Sequence, residues 1–260
     1  MPANPEARSL AVFCDFENVA LGVREAKYAQ FDMEKVLERL LAKGSIVVKK
    51  AYCDWERYKD FKAAMHGAAF ELIEIPHVRQ SGKNSADIRM VVDALDLCYT
   101  KEHVDTFVIV SGDSDFSPLV SKLRENAKTV IGVGVKNSSS DLLISNCDEF
   151  IYYDDLVRQD EQKRRAAKKR RETAPAGEDK KQEAIDIMLG TLEALTAERG
   201  AEEKIWGSMV KQALKRRNPG FNESYYGYKA FSDLLEDAEK RNLIKLEPDE
   251  KSGGYVIRPA

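Results

Sequence analysis

A regular alternation of strand-like and helix-like segments constrains the fold most strongly, and it runs over residues 8–155. Apolar runs such as TFVIVS at 106–111 and TVIGVGV at 129–135 are separated by segments in which apolar residues have helical spacing. Continuous apolar strands are typical of parallel sheets, because helices cover both faces of such a sheet. The alternation therefore predicts an α/β domain with a parallel sheet flanked by helices.

Six strands and five helices are predicted in this part of the chain. The predicted strands are SLAVFCDF, SIVVKKAYC, FELIEIPHV, TFVIVS, TVIGVGV and EFIYY, and the predicted helices are FDMEKVLERLLAKG, DWERYKDFKAAMHG, NSADIRMVVDALDLCYTK, SPLVSKLRENA and SSSDLLISNC. Asn84 or Ser85 would cap the third helix.

The remainder of the chain has a different pattern. Residues 155–182 are strongly basic in their middle and then contain Ala-Pro-Ala-Gly, which indicates a solvated helix and a flexible joint, or an electrostatic arm for a polyanion. Beyond it, three amphipathic helices precede two strands around Ser252-Gly253-Gly254, as in a small winged-helix unit. The predicted helices are EAIDIMLGTLEALTAERG, IWGSMVKQALKRRNPG and SYYGYKAFSDLLEDAEKRNL. We therefore predict a domain at 1–156, a linker at 157–182 and a second domain at 183–260.

Composition limits the cellular setting more than the function. The formal net charge of −3 gives no overall field that would select a nucleic acid. The four cysteines form no C-x-x-C motif, the first residues lack a signal-peptide pattern, and no apolar run reaches the ~20 residues of a membrane span. These features predict a reducing, cytoplasmic location.

Acidic residues follow the predicted strands where the strands end. Asp15 follows AVFC with Asn18 just beyond, Asp113 and Asp115 follow FVIVS and Gly112, and Asp87 lies in the first turn of the helix after the third strand. The carboxyl ends of parallel strands meet at one edge of a sheet, where ligands bind. We expect these side chains to converge there.

Carboxylates gathered at one edge repel each other unless a cation compensates them. Mg²⁺ and Mn²⁺ prefer carboxylates, waters and a substrate phosphate, and would neutralise charge that develops on a phosphate during in-line displacement. The pattern thus favours phosphodiester hydrolysis. Helix capping is the simpler alternative for Asp87 and Asp113. It explains Asp15 less readily, because no helix is predicted directly after it.

Other chemistries have weaker support. His66, His77 and His103 have no metal or triad spacing, and GVGV at 132–135 lies within a strand without a phosphate-binding loop. A haloacid-dehalogenase-type phosphatase remains an alternative, although Asp15-Phe16-Glu17 departs from the D-x-D of that family.

The segments DFENV at 15–19, SADIRMVVDAL at 85–95, VSGDSDFSPLV at 110–120 and CDEFIYYDDL at 147–156 resemble the NYN domain family, the LabA-like branch of the PIN-like nuclease superfamily. The resemblance covers roughly residues 8–156. It implies a Rossmann-like PIN fold and a metal-dependent ribonuclease site. The implied catalytic and metal-binding residues are Asp15, Asp87, Asp113 and Asp115, with Asn18 and Ser111 as accessory residues.

The segment NPGFNESYYGYKAFSDLLEDAE at 218–239 and the ending GGYVIRP resemble the OST-HTH (LOTUS) winged-helix domain. This resemblance implies binding of RNA or of a partner protein. Cationic and aromatic side chains that suit RNA backbone and base stacking are Lys215, Arg216, Arg217, Tyr225, Tyr226 and Lys229. Packing between helices is the alternative role for the tyrosines.

Together these patterns predict an Mg²⁺- or Mn²⁺-dependent ribonuclease with an appended RNA-binding module. PIN-like folds often pair, so a homodimer is considered as well. The alternative is a non-catalytic regulator that binds RNA or protein through the same surfaces.

Overall fold

A computed structural model describes residues 8–28, 30–75, 84–173, 179–200, 203–249 and 254–259, without the side chains of 163, 166–173 and 179. The chain divides into two compact units. The first contains Met1–Leu40 and Gly44–Arg158, and the second contains Leu41–Lys43 and Gln159–Ala260. No helix in the described ranges is long and apolar enough to cross a membrane.

The first unit contains a six-stranded parallel sheet, which confirms the predicted α/β class. Its strands lie in the spatial order β3-β2-β1-β4-β5-β6. They span Arg8–Asp15 (β1), Gly44–Cys53 (β2), Glu71–Glu74 (β3), Thr106–Val110 (β4), Thr129–Gly134 (β5) and Glu149–Tyr152 (β6). The third strand is shorter than predicted, and the end of that prediction, with His77, lies outside the described residues.

Six helices of this unit cover both faces of the sheet. They span Phe16–Glu25 (α1), Met33–Lys43 (α2), Lys59–Gly67 (α3), Ser85–Thr100 (α4), Ser117–Glu125 (α5) and Asp141–Asn146 (α6). Buried residues of α1 to α3 pack on one face and those of α4 to α6 on the other. The helix α1 was not predicted, because the chain passes from β1 into it without an intervening turn.

The central strand β1 is buried on both of its faces. Leu10 and Val12 belong to the core beneath α1 to α3, whereas Ala11 and Phe13 belong to the core beneath α4 to α6. All four side chains are fully inaccessible to solvent. Because period-2 alternation places apolar residues on both faces, the strand reads as a continuous apolar run.

From Asp179 onward, the described part of the second unit contains three α-helices and a small antiparallel sheet, as predicted for a winged-helix unit. The helices span Asp179–Arg199 (α8), Gly207–Arg217 (α9) and Phe231–Lys240 (α10), and the strands span Ile205–Trp206 (β7), Ile244–Asp249 (β8) and Gly254–Pro259 (β9). The sheet order is β7-β9-β8. The prediction that a helix begins at Ile205 was wrong, because Ile205 and Trp206 pair with β9 instead.

A further helix, α7, spans Tyr153–Thr173 and carries the basic stretch. Many of the basic side chains that define the predicted electrostatic arm, residues 163 and 168–171, lie outside the described side chains. The Ala-Pro-Ala-Gly segment at 174–177 lies outside the described residues.

Candidate metal-binding site

The predicted acidic residues lie at the point where the strand order of the sheet reverses. From β1 the chain builds β2 and β3 on one side and then returns to add β4, β5 and β6 on the other. In the register of β1 and β4, Cys14 lies opposite Val110, so Asp15 and Ser111 follow as neighbours. Loops diverge at such a switch point and leave a crevice that can hold a ligand.

Asp15 has two roles at this crevice. Its Oδ1 accepts a hydrogen bond from the backbone N–H of Asn18 at 3.3 Å, which makes Asp15 the N-cap of α1. Its Oδ2 accepts a hydrogen bond from Ser111 Oγ at 3.0 Å. The prediction that no helix begins directly after Asp15 was therefore wrong, because α1 begins at Phe16.

Asn18 and Ser111 connect the loop after β1 to the loop after β4. The backbone N–H of Gly112 donates to Asn18 Oδ1 at 2.9 Å, and the backbone N–H of Asp113 donates to Ser111 Oγ at 3.1 Å. Ser111 thus donates to Asp15 and accepts from Asp113 at the same time. These bonds fix the spacing of the two acid-bearing loops.

Asp113 also caps a local structure, a single 3-10 turn at Ser114–Phe116. Its Oδ1 accepts from the backbone N–H of Asp115 at 3.0 Å. The capping alternative is therefore confirmed for Asp113, although it caps this turn rather than α5. Asp87 lies in the first turn of α4, as predicted.

Gly112 allows the backbone of a third loop to approach the site. A Cβ atom at Gly112 would lie 2.4 Å from the carbonyl oxygen of Ser138. The backbone N–H of Ser140 donates to the Gly112 carbonyl at 2.9 Å. A side chain at position 112 would separate these loops, so glycine is required here for packing.

The carboxyl groups of the site influence each other strongly. Burial, together with the charges of Asp87 and Asp113, raises the pKa of Asp15 from 3.8 to about 7. The hydrogen bonds from Asn18 and Ser111 act in the opposite direction. Burial likewise raises the pKa of Asp87 to about 6, together with the charges of Asp113 and Asp115. The structure therefore brings the four predicted acids into one electrostatically coupled group.

The donor chemistry of this group suits a hard divalent cation. Within the described ranges, none of the four carboxylates forms an ion pair with lysine or arginine. Uncompensated carboxylates with raised pKa values are the groups that a cation stabilises most. However, no three acidic, histidine or cysteine side chains among the described residues stand close enough to ligate one ion as they are oriented.

Glu17 is a member of the acidic group that the sequence reasoning did not select. Its charge contributes to the raised pKa of Asp87. Its Oε1 accepts from Arg57 Nη1 at 3.1 Å, so its charge is partly compensated. The signal was its position two residues after Asp15, in the first turn of α1, which keeps it near the carboxyl end of β1.

In the second unit, two of the predicted RNA-binding residues present open side chains. Tyr225 is 62% exposed, and Lys180 Nζ lies 4.6 Å from the centroid of its ring. Lys229 is exposed. Lys180 was not predicted, and only the fold brings it to Tyr225.

Other predicted RNA-binding residues also make packing contacts within this unit. Arg217 Nη1 donates to the Gly190 carbonyl at 2.9 Å, which links α9 to α8. Tyr226 stacks on Phe221 at 5.1 Å between ring centroids, and Lys215 Nζ donates to the Phe221 carbonyl at 3.0 Å. Arg216 lies in the last turn of α9.

The doubly wound sheet with acids at its switch point defines the class, an α/β domain of the PIN-like nuclease type. The chain belongs to the NYN domain family, whose model matches residues 9–154. This family is generally nuclease-like.

Two known proteins are similar to this chain. One is an uncharacterized protein of Methanocaldococcus jannaschii, MJ0482, which is 29% identical over 125 residues, or 48% of this chain and 49% of that protein. The chain thus matches about half the length of this curated relative. The other is the crystal structure of VPA0982, a protein of unknown function from Vibrio parahaemolyticus, with 28% identity and a TM-score of 0.52 over 59% of this chain and 98% of that one.

Proposed function

We propose that this protein is an Mg²⁺- or Mn²⁺-dependent ribonuclease of the LabA-like branch that hydrolyses phosphodiester bonds in RNA. The observation that carries the proposal is the buried Asp15, whose carboxyl is coupled to Asp87 and Asp113 at the sheet switch point, with no compensating cationic side chain among the described residues. Such an arrangement is costly for the fold, and perturbed carboxylates in a crevice are typical of functional sites.

Each acid has a distinct part in this proposal. Asp15, Asp87, Asp113 and Asp115 would hold the cation, which supplies charge neutralisation and Lewis acidity at the scissile phosphate. Ser111 and Asn18 would position Asp15 and the loop after β4 through the hydrogen bonds described above. With a pKa of about 7, Asp15 would exchange its proton near neutral pH when a cation binds.

The second unit would act as an OST-HTH (LOTUS) module that holds RNA or a partner protein. The exposed Tyr225 ring offers a face for base stacking, and Lys180 and Lys229 offer charge for the phosphate backbone. A homodimer is a further partner to test by light scattering.

The test is cleavage of a labelled RNA by the full chain in Mn²⁺ and in EDTA. We expect cleavage in Mn²⁺ only, and a loss of at least about 100-fold for Asp113→Asn, because that variant removes one of the carboxylates that would hold the cation. Asp96→Asn is the matched control, since Asp96 is an exposed aspartate on α4 outside the acidic group. Cleavage in EDTA, or full activity of Asp113→Asn, would refute the proposal.

A non-catalytic regulator is the second candidate. It is favoured by one observation, that no three of the acids in the described part of the chain stand within reach of a single ion. Tight RNA binding by the wild-type chain without cleavage in any divalent metal would support this candidate over the ribonuclease.

A further inference from the structure

A groove of about 720 Å³ opens beside the acidic group in the first unit. It lies between α4, the 3-10 turn, α5 and α6. Its lining residues are Asn84, Asp87, Ile88, Val91, Val92, Ser114, Asp115, Ser117, Pro118, Ser121, Leu142 and Asn146. Its volume falls within the range of about 300–1,000 Å³ that is common for small-molecule sites.

The groove is continuous with the acidic group. Asp87 and Asp115 line the groove, and the charge of Asp115 is also one cause of the raised pKa of Asp87. A ligand that reaches both places would therefore have one part at the carboxylates and the next part in the groove.

The groove has apolar walls that are open to solvent. Ile88 is 62% exposed, Val92 is 55% exposed and Leu142 is 56% exposed. They are three of the six large hydrophobic side chains that are exposed in the described ranges, and all three line this one groove. Clustered exposed apolar residues indicate a binding surface rather than scattered surface residues.

Ser117 provides an unsatisfied polar group in the groove wall. The residue is only 6% exposed, and its Oγ has no hydrogen-bond partner among the described residues. A buried hydroxyl without a partner costs free energy, which a ligand can recover by bonding to it. Asn84, at the start of α4, makes no side-chain capping bond and leaves its amide for a ligand at the same groove.

The charge of the groove selects the part of a nucleic acid that could enter it. None of its described lining residues is lysine or arginine, and Asp87 and Asp115 repel phosphate at one end. The nucleobase is the uncharged part of a nucleotide, with apolar faces and a polar edge. In a duplex those faces are stacked and the edges paired, so only an unpaired base can enter.

We propose that this groove seats one unpaired nucleobase of the RNA next to the scissile phosphate, between Ile88, Val92 and Leu142, with the Ser117 hydroxyl bonded to its polar edge. The proposal rests on the ribonuclease function proposed above. It adds that the groove residues restrict the site to single-stranded RNA and set its preference among the bases.

The test compares single-stranded RNAs that lack one base at each position in turn while the phosphate backbone is kept. Binding is measured by fluorescence anisotropy in Mg²⁺ with the full chain carrying Asp113→Asn, to suppress cleavage. One abasic position should weaken binding by roughly 10-fold or more, which is typical for loss of one stacked base. The annealed duplex should bind more weakly than the single strand.

Two further substitutions assign that loss to the groove. Val92→Glu should weaken binding of intact RNA and abolish the additional loss at the sensitive position. Tyr99→Glu adds the same charge at a 62% exposed site on the same helix outside the groove lining, and should keep that loss. Ser117→Ala should keep binding but reduce the preference among the four bases at that position.

Three results would overturn the base seat. The first is that no single abasic position weakens RNA binding. The second is that Val92→Glu keeps the full loss of affinity at the sensitive abasic position. The third is that Val92→Glu changes only the oligomeric mass measured by light scattering. Cleavage by the wild-type chain in Mn²⁺ is followed on the same RNAs. Cleavage without base sensitivity contradicts only the base seat, whereas base-sensitive binding without cleavage contradicts only the ribonuclease function.

Discussion

The raised pKa of Asp15 makes the stability of the first unit depend on pH in a defined direction. Between its ordinary pKa of 3.8 and its folded value of about 7, the unfolded chain has released the proton that the folded chain keeps. The unfolded state then binds fewer protons, so the free energy of unfolding falls as pH rises. Above about pH 7 the contribution of this proton is lost.

The size of the effect follows from the two pKa values. One pH unit between them corresponds to about 1.4 kcal/mol. The part of this interval above pH 4.5 spans about 2.5 units, so the free energy of unfolding falls by about 3 kcal/mol between pH 4.5 and pH 8. Asp87 acts in the same direction, but it is half-exposed and contributes only about 1 kcal/mol after screening. The pKa of Asp93 is lowered by Tyr52 and Lys50 and acts in the opposite direction.

Comparison with Asp15→Asn isolates the contribution of Asp15 from the other groups. The amide has one acceptor oxygen instead of two, so it loses one of the two hydrogen bonds, at a cost of about 1 kcal/mol at every pH. We therefore expect the variant to be less stable than wild type below about pH 5 and more stable by about 2 kcal/mol at pH 8.

Urea unfolding in EDTA, followed by tryptophan fluorescence from pH 4.5 to 8, measures this difference. The chain has two tryptophans. Trp55 is buried in the first unit, and Trp206 lies in the second. With Trp206→Phe in both proteins, the signal reports the first unit alone. A difference in unfolding free energy between the two proteins that stays constant within about 0.5 kcal/mol over this range would refute the coupling argument.

Three further outcomes are expected from the same kind of measurement. Ser111→Ala removes a hydrogen bond that lowers the pKa of Asp15. It should therefore lower the free energy of unfolding by about 1 kcal/mol and extend its fall with pH to higher pH. An unchanged pH profile would contradict this. Gly112→Ala should destabilise the first unit by about 1–3 kcal/mol because its Cβ meets a backbone carbonyl. Gly67→Ala, where the added Cβ has open space, should not destabilise it. Equal effects of the two substitutions would contradict the close approach of the backbone to Gly112. Tyr228→Phe removes a 2.6 Å hydrogen bond to a carboxylate, so it should destabilise the second unit by about 1.5–3 kcal/mol, as measured by Trp206 fluorescence. Tyr225→Phe, on an exposed ring, should cost less than about 0.5 kcal/mol. A smaller loss for Tyr228→Phe would show that the bond contributes little.

The sheet and its acidic edge could be predicted because they depend on patterns within single segments. The stretch FVIV at 107–110 is apolar at every position, which is typical of a strand covered on both faces. Parallel strands then bring Asp15 and Asp113 to the same edge, whatever the helices do. For this reason the acids could be selected without any knowledge of their contacts.

The helix α1 could not be predicted in the same way. Its sequence, FENVALGVRE, has two valines and a glycine, which lower helix propensity. Its stability comes from packing of Phe16, Val19 and Val23 on the sheet. Gly22 also faces Ser138, where a Cβ would lie 2.3 Å from the serine Oγ. Tertiary packing therefore outweighs the local preference, and the cap role of Asp15 remained hidden with it.

Features that join distant segments left no local pattern. The strand β7 has only two residues, and its pairing partner β9 lies about 50 residues further along the chain. The groove needs α4, α5 and α6 to meet, and its exposed Ile88 and Val92 look like ordinary helix surface in the sequence. Lys180 reaches Tyr225 across 45 residues for the same reason.

The central position of β1 has a consequence for how the protein is made. Asp15 bonds to Ser111, a residue 96 positions later in the chain. At a synthesis rate of roughly 5–20 residues per second, β1 waits roughly 5–20 s on the ribosome for the neighbour that completes its hydrogen bonds. During that time the apolar residues 10–14 of β1 lie next to an open strand edge, so the nascent chain needs protection there. The acidic crevice is complete only after β4 has paired with β1, because β4 leads into the loop that carries Asp113 and Asp115.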